Sequence, residues 1–251
     1  MNKMTIETGD STLSSLFRVS GAAALLCALM YVITLVIYVP ANIASPPPET
    51  ILEWFKVFQD NRITGLFYLG LGDVVIMILW VPMSLGLYSI LKGSNYTWSL
   101  IATAIALVGV AVFLATNTAF SMLDLSQEYA AASTETEKSI LLAAGQSMLT
   151  VSRGTGSLYT GMQLVWLAGL ILSIIMLGSA AFSRATAWVG ILGLGFLVVG
   201  IVGGANYTST GEYSAIQGVI VAVQYIGGGL LSLAWYILVG LRLWKLGKVE
   251  G

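Results

Sequence analysis

Histidine is absent from this sequence, and cysteine occurs only once, as Cys27. Without histidine, the chain cannot hold a His-ligated haem or most kinds of zinc site, and it cannot use Ser-His-Asp or Cys-His catalysis. A single cysteine cannot form an intramolecular disulfide. Charged residues make up 9% of the chain, whereas soluble domains carry about 25%. The net charge of −1 gives no long-range attraction to nucleic acid, so we expect no nucleic-acid partner.

Hydrophobic residues dominate what is present, at 57% of the 251 positions, and the mean hydropathy is +0.88. Six segments reach the length of about 20 apolar residues that a membrane-spanning helix needs. The first is longer than the apolar run of a signal peptide, about 7–15 residues, so we interpret it as a retained span. The sequence therefore predicts an all-α, polytopic integral membrane protein with a six-helix transmembrane bundle. The expected spans are 18–39, 63–91, 98–120, 157–179, 185–205 and 215–241.

Lysine and arginine are distributed unevenly between the two sides of this predicted bundle. Seven of them lie on the side of the termini, and four lie on the opposite side. Because positively charged segments stay in the cytoplasm, we expect a multi-pass cell (plasma) membrane protein with cytoplasmic tails at 1–17 and 242–251. Almost all of the remaining non-membrane residues then lie outside, with outer helices at about 49–60 and 121–151.

The first outer helix has one apolar face, formed by Ile51, Trp54, Phe55 and Phe58. Such a helix either lies on the outer membrane surface or packs on the bundle, and the pattern leaves both interpretations open.

The second outer segment breaks near residues 133–134. There Thr134 and Glu137 fit a capping box. In this motif the Thr134 hydroxyl accepts a hydrogen bond from the backbone amide of Glu137, and the Glu137 carboxylate accepts one from the backbone amide of Thr134. A helix of about 135–151 is expected to follow. The residues predicted along its apolar side are Ile140, Ala144, Ser147 or Met148, and Val151.

One pattern occurs twice, as R-x-T-G-x-x-Y-x-G at 62–70 and again at 153–161. Each copy follows an outer amphipathic helix and opens a long apolar segment. The pattern indicates a duplicated unit of span, outer helix, motif and span, and internal repeats of this kind are common in membrane proteins.

Asp73 is the one acidic residue within a predicted span. It lies 11 positions beyond Arg62, or about 16 Å along an unbroken helix at ~1.5 Å per residue, which places it near mid-membrane. Gln163 and Gln224 reach a similar depth on two other spans, so the three side chains are expected to converge in one polar cluster. Thr34 and Asn117 would border the outer part of that cluster. Arg62 and Arg153 would lie at its rim, and Tyr68 and Tyr159 would lie above the cluster.

This cluster has two interpretations. In the first it is an outward-facing pocket, where Asp73 holds a proton or cation, the glutamines orient a ligand and the arginines attract an anionic group. In the second, Asp73 and the glutamines form hydrogen bonds between helices, the arginines reach to the membrane surface, and the tyrosines belong to the aromatic belt.

Three short segments carry a family resemblance. They are GLYSILK at 86–92, EYAAASTE at 128–135 and FSRATAWVGILG at 182–193. With these segments, the chain resembles the bacterial and archaeal multi-span membrane family known as domain of unknown function forty-three eighty-six. The resemblance implies a six-helix bundle with outer helical loops, and it brings no catalytic residues to this sequence.

Two functions remain open. The first is binding or translocation of a small, lipid-like or amphipathic ligand through a polar cavity in the outer half of the membrane. The alternative is a non-catalytic accessory, sensor or assembly subunit that meets a membrane-protein partner through its outer helices, at Trp54 or Phe58. We do not expect an enzyme, because an intramembrane aspartyl protease needs two carboxylates and only Asp73 is available. Membrane lipids are expected partners, and neither a cofactor nor a metal site is predicted.

Overall fold

A computed structural model describes residues 11–44, 48–152, 157–204 and 227–248. Within these ranges the chain forms helices and no strand, which confirms the all-α prediction. The helices are α1 (Ser11–Ala44), α2 (Ile51–Asp60), α3 (Arg62–Tyr68), α4 (Leu71–Leu91), α5 (Tyr96–Thr116), α6 (Ala119–Ala131), α7 (Glu135–Ser152), α8 (Ser157–Met176), α9 (Arg184–Gly204) and α10 (Gly229–Leu246).

Five stretches in the described part of the chain are long and apolar enough to cross a membrane. They are Thr12–Ile37, Leu71–Leu91, Tyr96–Ala131, Tyr159–Met176 and Gly229–Leu246. Arg184–Val199 is a shorter apolar helix, so the count of six spans stays a prediction. Val36 and Val199 are 65% and 67% exposed, as expected for apolar side chains that face lipid. The chain is therefore a polytopic membrane protein.

The second predicted span, 63–91, is wrong as a single helix. It is interrupted at Leu69–Gly70, between the end of α3 and the start of α4. Gly70 has a φ of 91°, a conformation that side-chain-bearing residues rarely adopt, and this turn separates the two helices. Asp73 consequently lies in the first turn of α4. Its expected mid-membrane depth was calculated for one unbroken helix from Arg62, so the calculation does not apply and the depth stays a prediction.

The third predicted span, 98–120, is also interrupted. Helix α5 ends at Thr116, and α6 begins at Ala119. The side-chain oxygen of Asn117 accepts a hydrogen bond from the amide of Ala119 (3.1 Å) and so satisfies a donor at the start of α6. An apolar run that continues across both breaks explains why hydropathy alone could not locate them.

The last predicted span, 215–241, lies partly outside the described residues. The described helix α10 begins at Gly229 and continues to Leu246, beyond the predicted end. At the other end of the sequence, α1 begins at Ser11, within the predicted tail.

The described residues form two compact units. The first comprises residues up to Ala28, Leu79–Val108 and the chain from Gln163 onward. Its core contains Trp80 and Trp235, whose rings stack with centroids 6.0 Å apart, and Tyr236, whose hydroxyl accepts a hydrogen bond from the Trp80 indole (2.8 Å). All three side chains are buried.

The second unit comprises Leu29–Ile78 and Gly109–Met162. Its core, which we call the outer cluster, contains the apolar face of α2 together with one residue each from α6 and α7. The members are Ile51, Trp54, Phe55, Phe58, Met122 and Leu149. This confirms the predicted face of α2. Of the two interpretations of that helix, the structure shows packing on other helices, because its apolar side chains are buried against α6 and α7.

Helix α7 begins as predicted. The Thr134 hydroxyl accepts from the amide of Glu137 (3.2 Å), and the Glu137 carboxylate accepts from the amide of Thr134 (3.1 Å). The predicted apolar side is only partly the buried one. Ile140 is 63% exposed, whereas Met148 packs against the outer cluster, and the side chain of Val151 lies outside the described residues. The helix buries Gly145 and Leu149. A Cβ at Gly145 would lie 2.6 Å from Ile51 Cδ1, so the missing side chain is what lets α2 approach.

Candidate functional site

The structure describes some of the residues of the predicted polar cluster. Arg153 and Gln224 lie outside the described residues. Gln163 is partly buried in α8 and belongs to the first unit, whereas Asp73 belongs to the second. The convergence of Asp73 with the two glutamines therefore stays a prediction.

Asp73 and Asn117 meet around Gly70. The Asn117 side-chain amide donates to the carbonyl oxygen of Leu69 (3.2 Å). Asn117 lies between α5 and α6, and Leu69 lies between α3 and α4, so this hydrogen bond joins the two helix breaks. A Cβ placed on Gly70 would lie 3.4 Å from Asn117 Nδ2 and 3.4 Å from Asp73 Oδ2. The amide and the carboxylate thus flank one glycine at the junction of two helix breaks.

Thr34 of α1 comes next to this junction. Its hydroxyl points at Gly72, where a Cβ would collide with it. The Thr34 oxygen is buried and has no hydrogen-bond partner. Tyr31, one turn earlier on α1, is near enough to Asp73 for the two groups to interact electrostatically. We call Thr34, Gly70, Asp73 and Asn117 the break site.

Asp73 is partly buried. Within the described ranges, its carboxylate takes part in no hydrogen bond and no ion pair. The hydrogen-bonding interpretation of the cluster required it to be bonded to a neighbouring helix. In the described part of the chain Asn117, and not Asp73, makes that link, to the Leu69 carbonyl.

Arg62 lies in a different place. It lines a cavity of about 410 Å³ between α2, α3 and α6, and Asp73 is not part of that lining. We call this cavity the Arg62 groove. Its polar members are Gln59, Arg62, Ser126 and Gln127, and its apolar members are Phe58, Ala130 and Ala131.

A tight helix junction positions Arg62. The amide of Asn61 donates to the carbonyl of Val57 (2.9 Å) and ends α2, while the Asn61 side-chain oxygen accepts from the amide of Thr64 (3.1 Å) and starts α3. Arg62 is the first residue of α3, so its backbone is fixed while its side chain is exposed. Its guanidinium forms no ion pair with any residue that the structure describes.

Two hydrogen bonds join the walls of the groove. Gln59 Nε2 donates to the carbonyl of Ser126 (3.2 Å), and the Ser126 hydroxyl donates to the carbonyl of Phe55 (3.0 Å). Helices α2 and α6 are therefore linked in both directions at the floor of the cavity. Sequence reasoning missed Gln59, Ser126 and Gln127, because neither helix alone indicates which polar side chains will face each other.

The repeated motif has different structural roles in its two copies. Gly65 packs on the ring of Phe58, at a distance that leaves no room for a Cβ. The final glycine of the first copy, Gly70, breaks a helix, whereas its counterpart Gly161 lies inside α8 and packs on the backbone of α5 near Phe113. Residues 153–156 of the second copy lie outside the described residues. Tyr159 is partly buried in the first turn of α8.

The two residues predicted to contact a partner pack inside the protein, and the partner itself stays a prediction. Trp54 and Phe58 are buried in the outer cluster, at 7% and 1% exposure, so neither can meet another protein without unpacking α2. Any partner of the outer helices would have to use other side chains.

Comparisons with protein-family models, with curated proteins and with solved structures gave no match. The family resemblance of the three short segments therefore stays an expectation from the sequence.

Proposed function

We propose that this membrane protein binds a small, lipid-like or amphipathic ligand in the Arg62 groove, and either holds it or passes it across the membrane. The acidic group of the ligand would lie on the Arg62 guanidinium, and its apolar part would lie against Ala130 and Ala131, which are exposed. The excess of lysine and arginine near the termini supports an outward-facing groove in the cell membrane.

The observation that carries this proposal is a guanidinium that pairs with no described residue and lines the same groove as the apolar side chains of Ala130 and Ala131. Arginine binds carboxylate and phosphate groups through paired N–H donors. A volume of about 410 Å³ falls in the usual range for small-molecule sites, roughly 300–1,000 Å³. The mixture of polar and apolar walls favours a ligand with both characters over a hydrophilic solute.

Octyl phosphate is a suitable probe, because it combines one acidic headgroup with a short apolar chain. Its binding would be measured with the protein in nanodiscs of neutral lipid. We expect Arg62→Gln to weaken binding by about 10- to 100-fold, the loss of one charge-assisted hydrogen-bonding group. Ala130→Trp should abolish binding by filling the apolar side of the groove.

Lys56→Gln is the matched control. It removes the same charge from an exposed position of α2 that does not line the groove. The proposal requires Lys56→Gln to bind like the wild type. Equal affinity in the wild type and in Arg62→Gln would contradict it.

A further inference from the structure

The break site has a charge that its surroundings do not balance. Asp73 lies in the first turn of α4 within an apolar span, and no described cation neutralises it. The N-terminus of a helix supplies only about half of one elementary charge. A carboxylate in such a place is costly unless a further positive charge is bound.

A second polar group without a partner lies close by. The hydroxyl of Thr34 is buried without a partner, next to Gly72 and one residue from Asp73 along α4. Two helices are broken beside it, at Leu69–Gly70 and at Asn117–Thr118. The carbonyl oxygens of Leu69, Gly70 and Thr118 at these breaks already accept hydrogen bonds. Among the described residues, the Thr34 hydroxyl and the Asp73 carboxylate are therefore the polar groups left there without a hydrogen-bond partner.

Because Asp73 supplies a single negative charge and its neighbours are neutral, the site favours a monovalent cation over a divalent one. Divalent cations usually take several carboxylates or waters, and hard oxygen ligands exclude the soft transition metals. In the described residues, no group of three acidic, cysteine or histidine side chains is placed to hold a metal ion. Among the described residues, the polar groups placed around Asp73 are Tyr31, Thr34 beside Gly72, and the Asn117 amide beside Gly70, and none of them is charged at neutral pH.

The geometry points to a binding site for one monovalent cation, Na⁺ or a proton, on the carboxylate of Asp73. Bound Na⁺ would also contact the Thr34 hydroxyl, whereas a bound proton would need the carboxylate alone. This site goes beyond the proposed function, because it lies apart from the lining of the Arg62 groove and takes a ligand of opposite charge.

Thermal unfolding of the protein in neutral nanodiscs tests the site, since a ligand that binds only the folded state raises the melting temperature. In the first series, NaCl replaces choline chloride at constant ionic strength and about pH 8.5. In the second, pH falls from about 9 to 6 without Na⁺, a range in which the surface carboxylates stay ionised.

A Na⁺ site raises the melting temperature in the first series, and the rise disappears in Asp73→Asn and shrinks in Thr34→Val. A proton site raises it in the second series, and that rise disappears in Asp73→Asn but survives in Thr34→Val. Asp124→Asn, at an exposed position of α6, is the control and should respond like the wild type.

A wild-type protein that responds in neither series overturns the inference without any variant, so the test does not depend on how well Asp73→Asn folds. The inference also fails if Asp73→Asn keeps the full response. Octyl phosphate binding by Asp73→Asn separates the two proposals. The Arg62 groove should still bind the probe when the cation response is lost.

Discussion

Gly72 gives the sharpest test of the packing that builds the break site. Replacing it with alanine places a Cβ against the hydroxyl of Thr34. The other nearest atoms, Thr34 Cβ and Phe67 Cε1, would each be 3.5 Å away, an ordinary contact distance. The clash therefore comes from one oxygen atom, and Thr34→Ala should remove it.

The size of the effect follows from this geometry. Overpacking of a well-packed site costs about 1–3 kcal/mol, and we expect Gly72→Ala to lower the free energy of unfolding by that amount. Thr34→Ala alone removes a methyl group and a hydroxyl that has no partner, so its cost should be about 1 kcal/mol or less. The double variant should lie close to Thr34→Ala, which gives a coupling energy of about 1–3 kcal/mol.

The assay is reversible unfolding by SDS in mixed micelles, followed by loss of helix content for the wild type, both single variants and the double variant. Thr34→Ser is the control background, because it keeps the hydroxyl and should not rescue Gly72→Ala. If Gly72→Ala costs the same in the Thr34→Ala background as in the wild type, α1 does not lie against Gly72 and the break site is not formed as described.

Two further predictions concern the helix ends. Gly70→Ala should lower the free energy of unfolding by about 1–2 kcal/mol, because alanine disfavours a positive φ; Gly195→Ala, inside α9 with one distant neighbour, should be neutral or stabilising in the same assay. The pKa of Glu53 is lowered from 4.5 mainly by the amides of Glu49 and Thr50, and that of Glu137 mainly by the amide of Thr134. Both carboxylates therefore stabilise the fold above pH 4.5, and this contribution is lost as pH falls below it. When the free energy of unfolding is measured against pH, it should fall less steeply below pH 4.5 in the Glu53→Gln, Glu137→Gln double variant than in the wild type. The same slope in both proteins would contradict the capping role.

Composition and local pattern were sufficient for the fold class and for the outer helices. The apolar face of α2 and the capping box at Thr134 depend on residues three or four positions apart, and both were confirmed. The side that α7 buries was predicted only in part, because Gly145 adds nothing to an apolar pattern. It is buried because it lacks a side chain, which becomes evident only when α2 lies against it.

The candidate sites show the same limit. Hydropathy is continuous through 63–91, so Asp73 was assigned to mid-membrane although Gly70 ends the preceding helix. The pairing of Asn117 with Leu69 and the meeting of Gln59 with Ser126 join residues that are 48 and 67 positions apart. No periodicity within one helix contains that information. The sequence did indicate Arg62, Asp73 and Asn117 as polar groups near apolar spans, but it placed them around one cavity, whereas Arg62 lines a groove to which Asp73 and Asn117 do not contribute.

The stacked indoles of Trp80 and Trp235 give the first unit an optical property of its own. Two indoles 6.0 Å apart, with ring planes inclined by 24°, are close enough for their electronic transitions to couple, so we expect an exciton couplet in the ultraviolet circular dichroism spectrum. Trp54 belongs to the second unit and lies edge-on to Tyr68 instead. Unfolding of the first unit would therefore remove the exciton couplet of Trp80 and Trp235. Unfolding of the second unit would change the surroundings of Trp54, so tryptophan spectroscopy can follow the two units separately.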